Sequence, residues 1–336
     1  LNRKIFYRQQ ALMSRKKFFY STIRAFILQE LTPIHNCRLS DFIGPVPPSL
    51  LIRIIFNYLI RSEYVFMIAN SITLILSTYN WPSALQVCLV SIKQQTILPT
   101  EVIIADDGST YETKQLIDNF KKDFPVPIIH LWQEDIGFRK SRILNQAFAR
   151  SNYDYIIQID GDVFLNHHFI KDHIHASRPN YLLQGSRVML GKEYSQKVLH
   201  EQKPNFNLFG KGNKRIENSV RLPLLSDYLL NRYKNKYPIY YARGANMSFW
   251  KKDIFDINGY NESYEGWGHE DSDLTLRMMN NGVKKSVIKF AAIVYHLHHT
   301  ENIRPDLELK NKLIMEQTLK DQVIWTEKGL NQYLKD

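Results

Sequence analysis

From Ile72 onward the chain alternates short apolar runs with stretches of helical period. Four to eight apolar residues bounded by turn signals read as buried strands, and spacing near 3.6 reads as helix. On that basis 72–77 predicts a first strand, and 81–95 a helix with Pro82 near its first turn, where proline is tolerated. A second strand follows at 101–105, then a helix to about Asp123, opened by Ser109 and Glu112 as a capping box. The pattern continues with a strand at 126–131, a helix at 138–150 and a strand at 155–159. Strands alternating with helices imply an α/β fold with a mostly parallel central sheet flanked by helices.

The second half is less regular. A helix at 166–177 and a strand at 181–190 are expected, whereas 191–237 is basic, polar and weakly patterned, an insertion or a mobile loop closing over substrate. Order resumes at 239–246, with a helix at 251–257 and a turn at Asn258-Gly259-Tyr260. The bend Gly266-Trp267-Gly268 leads into a helix to Asn280, and a strand at 286–294 runs into Tyr295-His296-Leu297-His298-His299. These boundaries divide the chain into a basic helical region at 1–70, a body at 71–300 with halves 71–165 and 166–300, and a helical tail at 301–336.

Residues 1–70 differ in kind. Seven Lys and Arg precede the first acid, Glu30, among Phe6, Tyr7, Phe18, Phe19 and Tyr20. Beyond Pro45, Pro47 and Pro48, Leu51, Ile54, Ile55 and Tyr58 share one face of an amphipathic helix. Such segments lie on an anionic membrane face or pack on a protein surface, and both readings stand.

At 336 residues and 44% hydrophobic content the chain can bury a sizeable core. A net charge of +11 points to anionic partners without choosing among them. Two cysteines, Cys37 and Cys88, form no zinc spacing and no pairing pattern, so a reducing compartment is expected. With no signal-peptide layout and no run apolar enough to span a bilayer, the expected location is cytoplasmic, either free or peripheral on the inner membrane face.

The candidate chemistry sits at strand ends. Asp160-Gly161-Asp162 closes the fourth strand, and two carboxylates on a tight turn suit a divalent cation, or merely a hairpin turn. The same sheet edge receives Thr78-Tyr79-Asn80, Asp106-Asp107 and the loop Gln133 to Arg139. Glu270, Asp271 and Asp273 stand in a first helical turn, where acids are favoured by the dipole but three exceed that need. A histidine at the end of the last strand would add a nitrogen ligand beside a carboxylate-bound metal.

Taken in order, Ser77-Thr78-Tyr79-Asn80, Asp106-Asp107-Gly108-Ser109, Gly137-Phe138-Arg139 with Arg142 and Asn145, Asp160-Gly161-Asp162, Gly266-Trp267-Gly268-His269-Glu270-Asp271 and Tyr295-His296 resemble family 2 glycosyltransferases of the GT-A fold. The likeness is to the catalytic modules of bacterial chondroitin-type polymerases, with an acceptor half similar to galactosyltransferases.

That resemblance implies a UDP-sugar donor, Mn²⁺ or Mg²⁺ as cofactor, and a glycan or lipid-linked saccharide acceptor in surface polysaccharide or lipopolysaccharide synthesis. Thr78, Tyr79, Asn80, Asp106, Asp107, Gly137, Arg139, Arg142, Asn145, Asp160 and Asn246 would bind the nucleotide-sugar. Asp162 and His296 would ligate the metal, with Asp160 on the metal or the ribose. Trp267, Gly268 and Glu270 would hold the acceptor, and Asp271 would act as base. His269 departs from the pattern, which has glycine there, and His298 and His299 are rival ligands. The alternatives are a nucleotidyltransferase, which leaves the Trp267 segment unexplained, and a non-catalytic glycan- or nucleotide-binding module. Nucleic acid is not expected as a partner, since no motif for it is present.

Overall fold

The computed structural model describes residues 71–235, 242–300 and 304–334. The basic opening and the amphipathic stretch expected near Leu51 therefore lie outside the described residues, as do 236–241. In chain order the elements begin with β1 (Ile72–Thr78), α1 (Pro82–Lys93), β2 (Glu101–Asp106), α2 (Tyr111–Lys121), β3 (Ile128–Trp132), α3 (Lys140–Arg150) and β4 (Tyr155–Asp160). Next come β5 (Val163–Leu165), α4 (Phe169–Ala176), β6 (Tyr181–Gln184), β7 (Ser186–Met189), α5 (Lys192–Glu201) and α6 (Pro223–Arg232). The chain continues through β8 (Asn246–Trp250), α7 (Lys251–Phe255), α8 (Glu270–Asn280), β9 (Lys284–Val287), β10 (Ile293–His296) and α9 (Pro305–Asp321).

Seven strands form one sheet in the order β3-β2-β1-β4-β8-β6-β9, and three form a second, β5-β10-β7. In the first, β1, β2, β3 and β4 are parallel, and β8 runs antiparallel to both β4 and β6. Alternation along the strands supplies both faces. Leu74, Leu76, Ile157 and Ile159 pack on one side with Leu85 and Leu89 of α1. Ile75, Ile103 and Ile156 pack on the other with Phe148 of α3 and Leu274 of α8. Because both faces are covered, these strands read in the sequence as nearly unbroken apolar runs.

The single strands expected at 181–190 and 286–294 each prove to be two, one in each sheet. Asn246 is the reason. Its Nδ2 donates to the carbonyls of Ser186 (2.9 Å) and Ala292 (2.8 Å), and its Oδ1 lies 2.9 Å from the buried His173 ring. Any Cβ at residue 185 would fall 2.3 Å from that amide, so Gly185 is where the chain passes from one sheet to the other. On the other strand, Phe290 and Ala292 turn with φ of +58° and +49°.

The stretch expected as an insertion or mobile loop carries α5, α6 and a 3-10 turn at Ile216–Ser219. The capping box is also corrected. Thr110 precedes α2 without a side-chain cap, and Ser109 Oγ instead accepts from the Asn80 N–H at 2.8 Å. No helix among the described residues is long and apolar enough to cross a membrane.

Candidate active site

Parallel pairing brings the carboxyl ends of β1, β2 and β4 to one edge. Thr78 is buried there beside Gly161, whose N–H donates to the Ser77 carbonyl at 2.7 Å. A Cβ on Gly161 would approach that carbonyl to 3.0 Å and Thr78 to 3.3 Å, so glycine here answers to packing against β1. Tyr79 is half-exposed, its hydroxyl donating to Asp135 at 2.9 Å, and Asn80 adopts φ +45° with Oδ1 accepting from the Thr110 N–H.

The adjacent aspartates have separate tasks. Asp106 is consumed inside the fold, accepting from Ser109 N–H at 2.8 Å and facing His130 Nε2 at 2.9 Å. Asp107 accepts from Gln133 Nε2 (2.5 Å) and the Arg139 N–H (2.8 Å), and burial pushes its carboxyl up to about 6. Arg139 thereby closes its loop over Asp107, with its Nη2 donating to the Glu134 carbonyl and its Nε buried without a hydrogen-bond partner. Gly137, at φ +78°, stands open.

Three residues expected on the donor side lie elsewhere. Asn145 is buried under α3, tied to the Tyr260 backbone (2.9 and 2.8 Å) and to Glu262. Arg142 is exposed and interacts with the Tyr333 hydroxyl. Asn246 clamps the two sheets, as above. Asn145 and Asn246 satisfy backbone partners that only the tertiary fold supplies.

Asp160 and Asp162 point to different neighbours. Asp160 Oδ1 accepts from Ser77 Oγ at 2.8 Å and from Lys140 Nζ at 2.6 Å. Burial disfavours the lysine's charge, but Asp160, Asp271 and Glu270 together hold its pKa above the ordinary value. Sequence reasoning passed over Lys140, although a cation opening a helix opposes the dipole and so asks for an anion nearby.

Asp162 Oδ2 lies 3.0 Å from His299 Nε2 and 3.4 Å from His296 Nε2, while its Oδ1 is buried with no partner. Burial works against its charge, yet the two rings and Lys140 bring it down to about 2. His296 Nδ1 donates to the Leu297 carbonyl at 2.8 Å, which leaves Nε2 facing Asp162, and burial lowers the ring's pKa against the opposing pull of Asp162. One ligand atom from each of Asp162, His296 and His299 falls within 4.8 Å of the others. Asp160 is not in this cluster, and the exposed His298 is placed apart, its N–H donating to Ser195 Oγ.

At the head of α8 the Gly-Trp-Gly bend aims Trp267 outward, 43% exposed. Glu270 is buried, accepts from the Gly268 N–H at 3.0 Å, and is pushed up to about 7 by burial and by Asp271. Asp271 is fixed at both oxygens, Oδ2 by the Gly244 N–H (2.6 Å) and Oδ1 by the Tyr260 hydroxyl (2.8 Å). His269 precedes the helix at φ +70°, a left-handed conformation that glycine adopts without strain.

Residues 73–234 match the family profile described as glycosyl transferase family 2, and 227–300 the profile described as the N-terminal domain of galactosyltransferase. The chain is 24% identical over 247 residues to chondroitin synthase from Escherichia coli, covering 68% of this chain and 35% of that protein. It is 24% identical over 225 residues to hyaluronan synthase from Pasteurella multocida, covering 63% and 23%. The chain thus spans about a third or less of the length of these two relatives. The crystal structure of S. aureus TarS 1–349 in complex with UDP shares the fold, with a TM-score of 0.51 and 18% identity over 76% of this chain and 69% of that one. The two profiles overlap at 227–234 and together span the stretch that holds the strand-end motifs and the head of α8, so residues 73–234 match glycosyl transferase family 2 in a fold shared with TarS.

Proposed function

We propose that the enzyme is a metal-dependent inverting transferase that moves a sugar from a UDP-sugar to a hydroxyl of a glycan or lipid-linked saccharide, in surface polysaccharide or lipopolysaccharide synthesis. The observation that carries this reading is Asp271, a carboxylate oriented at both oxygens within the field of the Lys140 ammonium that also bonds Asp160. Lys140 thus links an oriented base to the acid at the donor edge.

The UDP assignment rests on analogy with the TarS complex and on the groups available to a nucleoside. Tyr79 offers a ring face, and Asp107 and the Arg139 loop offer polar partners at the sheet edge. Asp162, His296 and His299 fit a divalent cation, because a carboxylate and two imidazole nitrogens converge and Asp162 Oδ1 is buried without a partner. Two nitrogen donors favour Mn²⁺ over Mg²⁺. When bound, such an ion supplies positive charge to the diphosphate that leaves.

The chain's own residues account for the rest. Asp271 accepts the proton of the attacking acceptor hydroxyl, and its two fixed oxygens leave only the unused lone pairs for that proton. Attack from the side opposite the diphosphate inverts the anomeric centre. Glu270, partly protonated near neutral pH, exchanges hydrogen bonds with a second acceptor hydroxyl and orients the ring. Lys140 holds Asp160 in place and balances the Glu270–Asp271 charge. A peripheral place on the inner membrane face belongs to the same reading, motivated by the basic opening of the chain.

The test is UDP release from a panel of UDP-sugars with Mn²⁺, with and without glycan acceptors. Acceptor-dependent release from at least one donor is expected. No release from any donor under any condition refutes the transferase assignment.

A further inference from the structure

Between the C-terminal half of α8, the loop at Asn261 and Ser263, and the segment from Thr318 to Lys328 lies a cavity of about 260 Å³ that the transfer chemistry does not use. Its inner wall is Arg277, only 1% exposed. The guanidinium is spent at two corners, Nε on Asp273 (2.8 Å) and Nη1 on the Ile257 carbonyl (2.9 Å). Its Nη2 is buried with no hydrogen-bond partner. That nitrogen is closed off from solvent, so Arg277 braces the cavity floor and does not offer a free donor to its contents.

At the rim, Trp325 is half-exposed, and Asn261, Ser263, Thr318 and Glu327 also line the cavity. A flat aromatic face beside amide, hydroxyl and carboxylate groups is the chemistry that receives a sugar ring, apolar on one face and hydroxyl-rich at its edge.

The walls are also rigid. Helix α9 stops at Gln322 in a left-handed conformation, and the following segment is tied down by Asn280 Nδ2 to the Val323 carbonyl (2.9 Å), Asn258 Nδ2 to the Thr326 carbonyl (2.7 Å) and the Glu262 N–H to the Lys328 carbonyl (2.9 Å). A pocket held this way loses little entropy when filled.

The position is informative. Arg277 stands six residues beyond Asp271 on α8, about 9 Å along the axis. Asn261 and Ser263 directly follow Tyr260, which bonds Asp271.

From the cavity, its polar lining and the Trp325 face, we propose a second saccharide-binding subsite that holds a pyranose unit of the acceptor glycan away from the reacting hydroxyl. This rests on the transferase reading for its purpose, though binding itself does not need catalysis. Trp325 would stack on the ring, and Glu327 would accept from a hydroxyl.

The experiment is a titration of the full chain with a ladder of unsulfated chondroitin oligosaccharides, disaccharide to octasaccharide, and a neutral oligosaccharide ladder, with UDP titrated in parallel. Longer oligosaccharides of at least one ladder should bind, and Trp325→Ala should weaken the longest by about tenfold with UDP affinity unchanged. Because Trp325 is exposed, that variant should fold, and Glu327→Ala, also at an exposed residue of the rim, should weaken the same ligands. If Trp325→Ala binds every saccharide as the parent does, or the parent binds UDP but no saccharide, the subsite is refuted and the transferase assignment is untouched. If saccharides bind through Trp325 and UDP does not bind at all, the subsite stands and the transferase assignment fails.

Discussion

Lys140 Nζ lies 2.6 Å from Asp160 Oδ1, and this contact joins the edge of the parallel sheet to the start of α3. The two side chains are 14% and 23% exposed, so water screens them little. Lys140 is also within the electrostatic reach of Asp271 and Glu270, one cation serving three carboxylates. Replacing it by methionine keeps the stem and removes the charge. Lys140→Met should lower the free energy of unfolding by about 2 kcal/mol, since a charged hydrogen bond is lost and Asp160 keeps only Ser77. Urea denaturation of parent and variant checks this, and an unchanged midpoint would make the pair ornamental.

Glu270 gives stability a pH dependence of definite sign. Its pKa is 4.5 ordinarily and is pushed up to about 7 in the folded protein by burial and Asp271. The folded state therefore binds this proton more tightly than the unfolded state. Its contribution is fully present below about pH 4.5 and is lost as pH rises through about 7. Asp107, pushed up to about 6, acts in the same direction, so the parent curve alone does not isolate Glu270. The difference does. Relative to the parent, Glu270→Gln should gain stability as pH rises from 5 to 8, and a flat difference would place Glu270 in a different state.

The histidines at the end of β10 separate metal binding from proximity. His296 and His299 both face Asp162, whereas the His298 ring does not belong to the cluster. Titrating Mn²⁺ by calorimetry should show His299→Ala weakened by roughly 10–100-fold or more, the range seen for losing even a supporting partner of a ligand. His298→Ala should match the parent. Equal weakening in both would move the ion away from Asp162.

The first half of the fold was legible because each of β1, β2 and β4 is buried on both faces and so reads as a continuous apolar run. The second half was not, for a tertiary reason. Nothing local marks Asn246 as the clamp that divides two apparent strands between two sheets, and β5 is only three residues long. The strand-end acids and the head of α8 could be picked out because glycines and clustered carboxylates stand out against apolar runs. Asn145 and Arg142 share their stretch with Arg139, but α3 turns Asn145 toward Tyr260 and Arg142 toward Tyr333. His269 carried a usable signal. The family pattern has glycine there, and the φ of +70° supplies the physical reason.

The most direct test of the mechanism is Asp271→Asn, read as transfer rate and UDP affinity on the same preparation. The asparagine keeps an acceptor oxygen for Gly244 or Tyr260 and cannot take a proton as a carboxylate does. Transfer should fall by about 10²–10⁴-fold with UDP affinity nearly unchanged. Transfer at the parent rate, or loss of UDP affinity in its place, would contradict the assignment of Asp271 as the base.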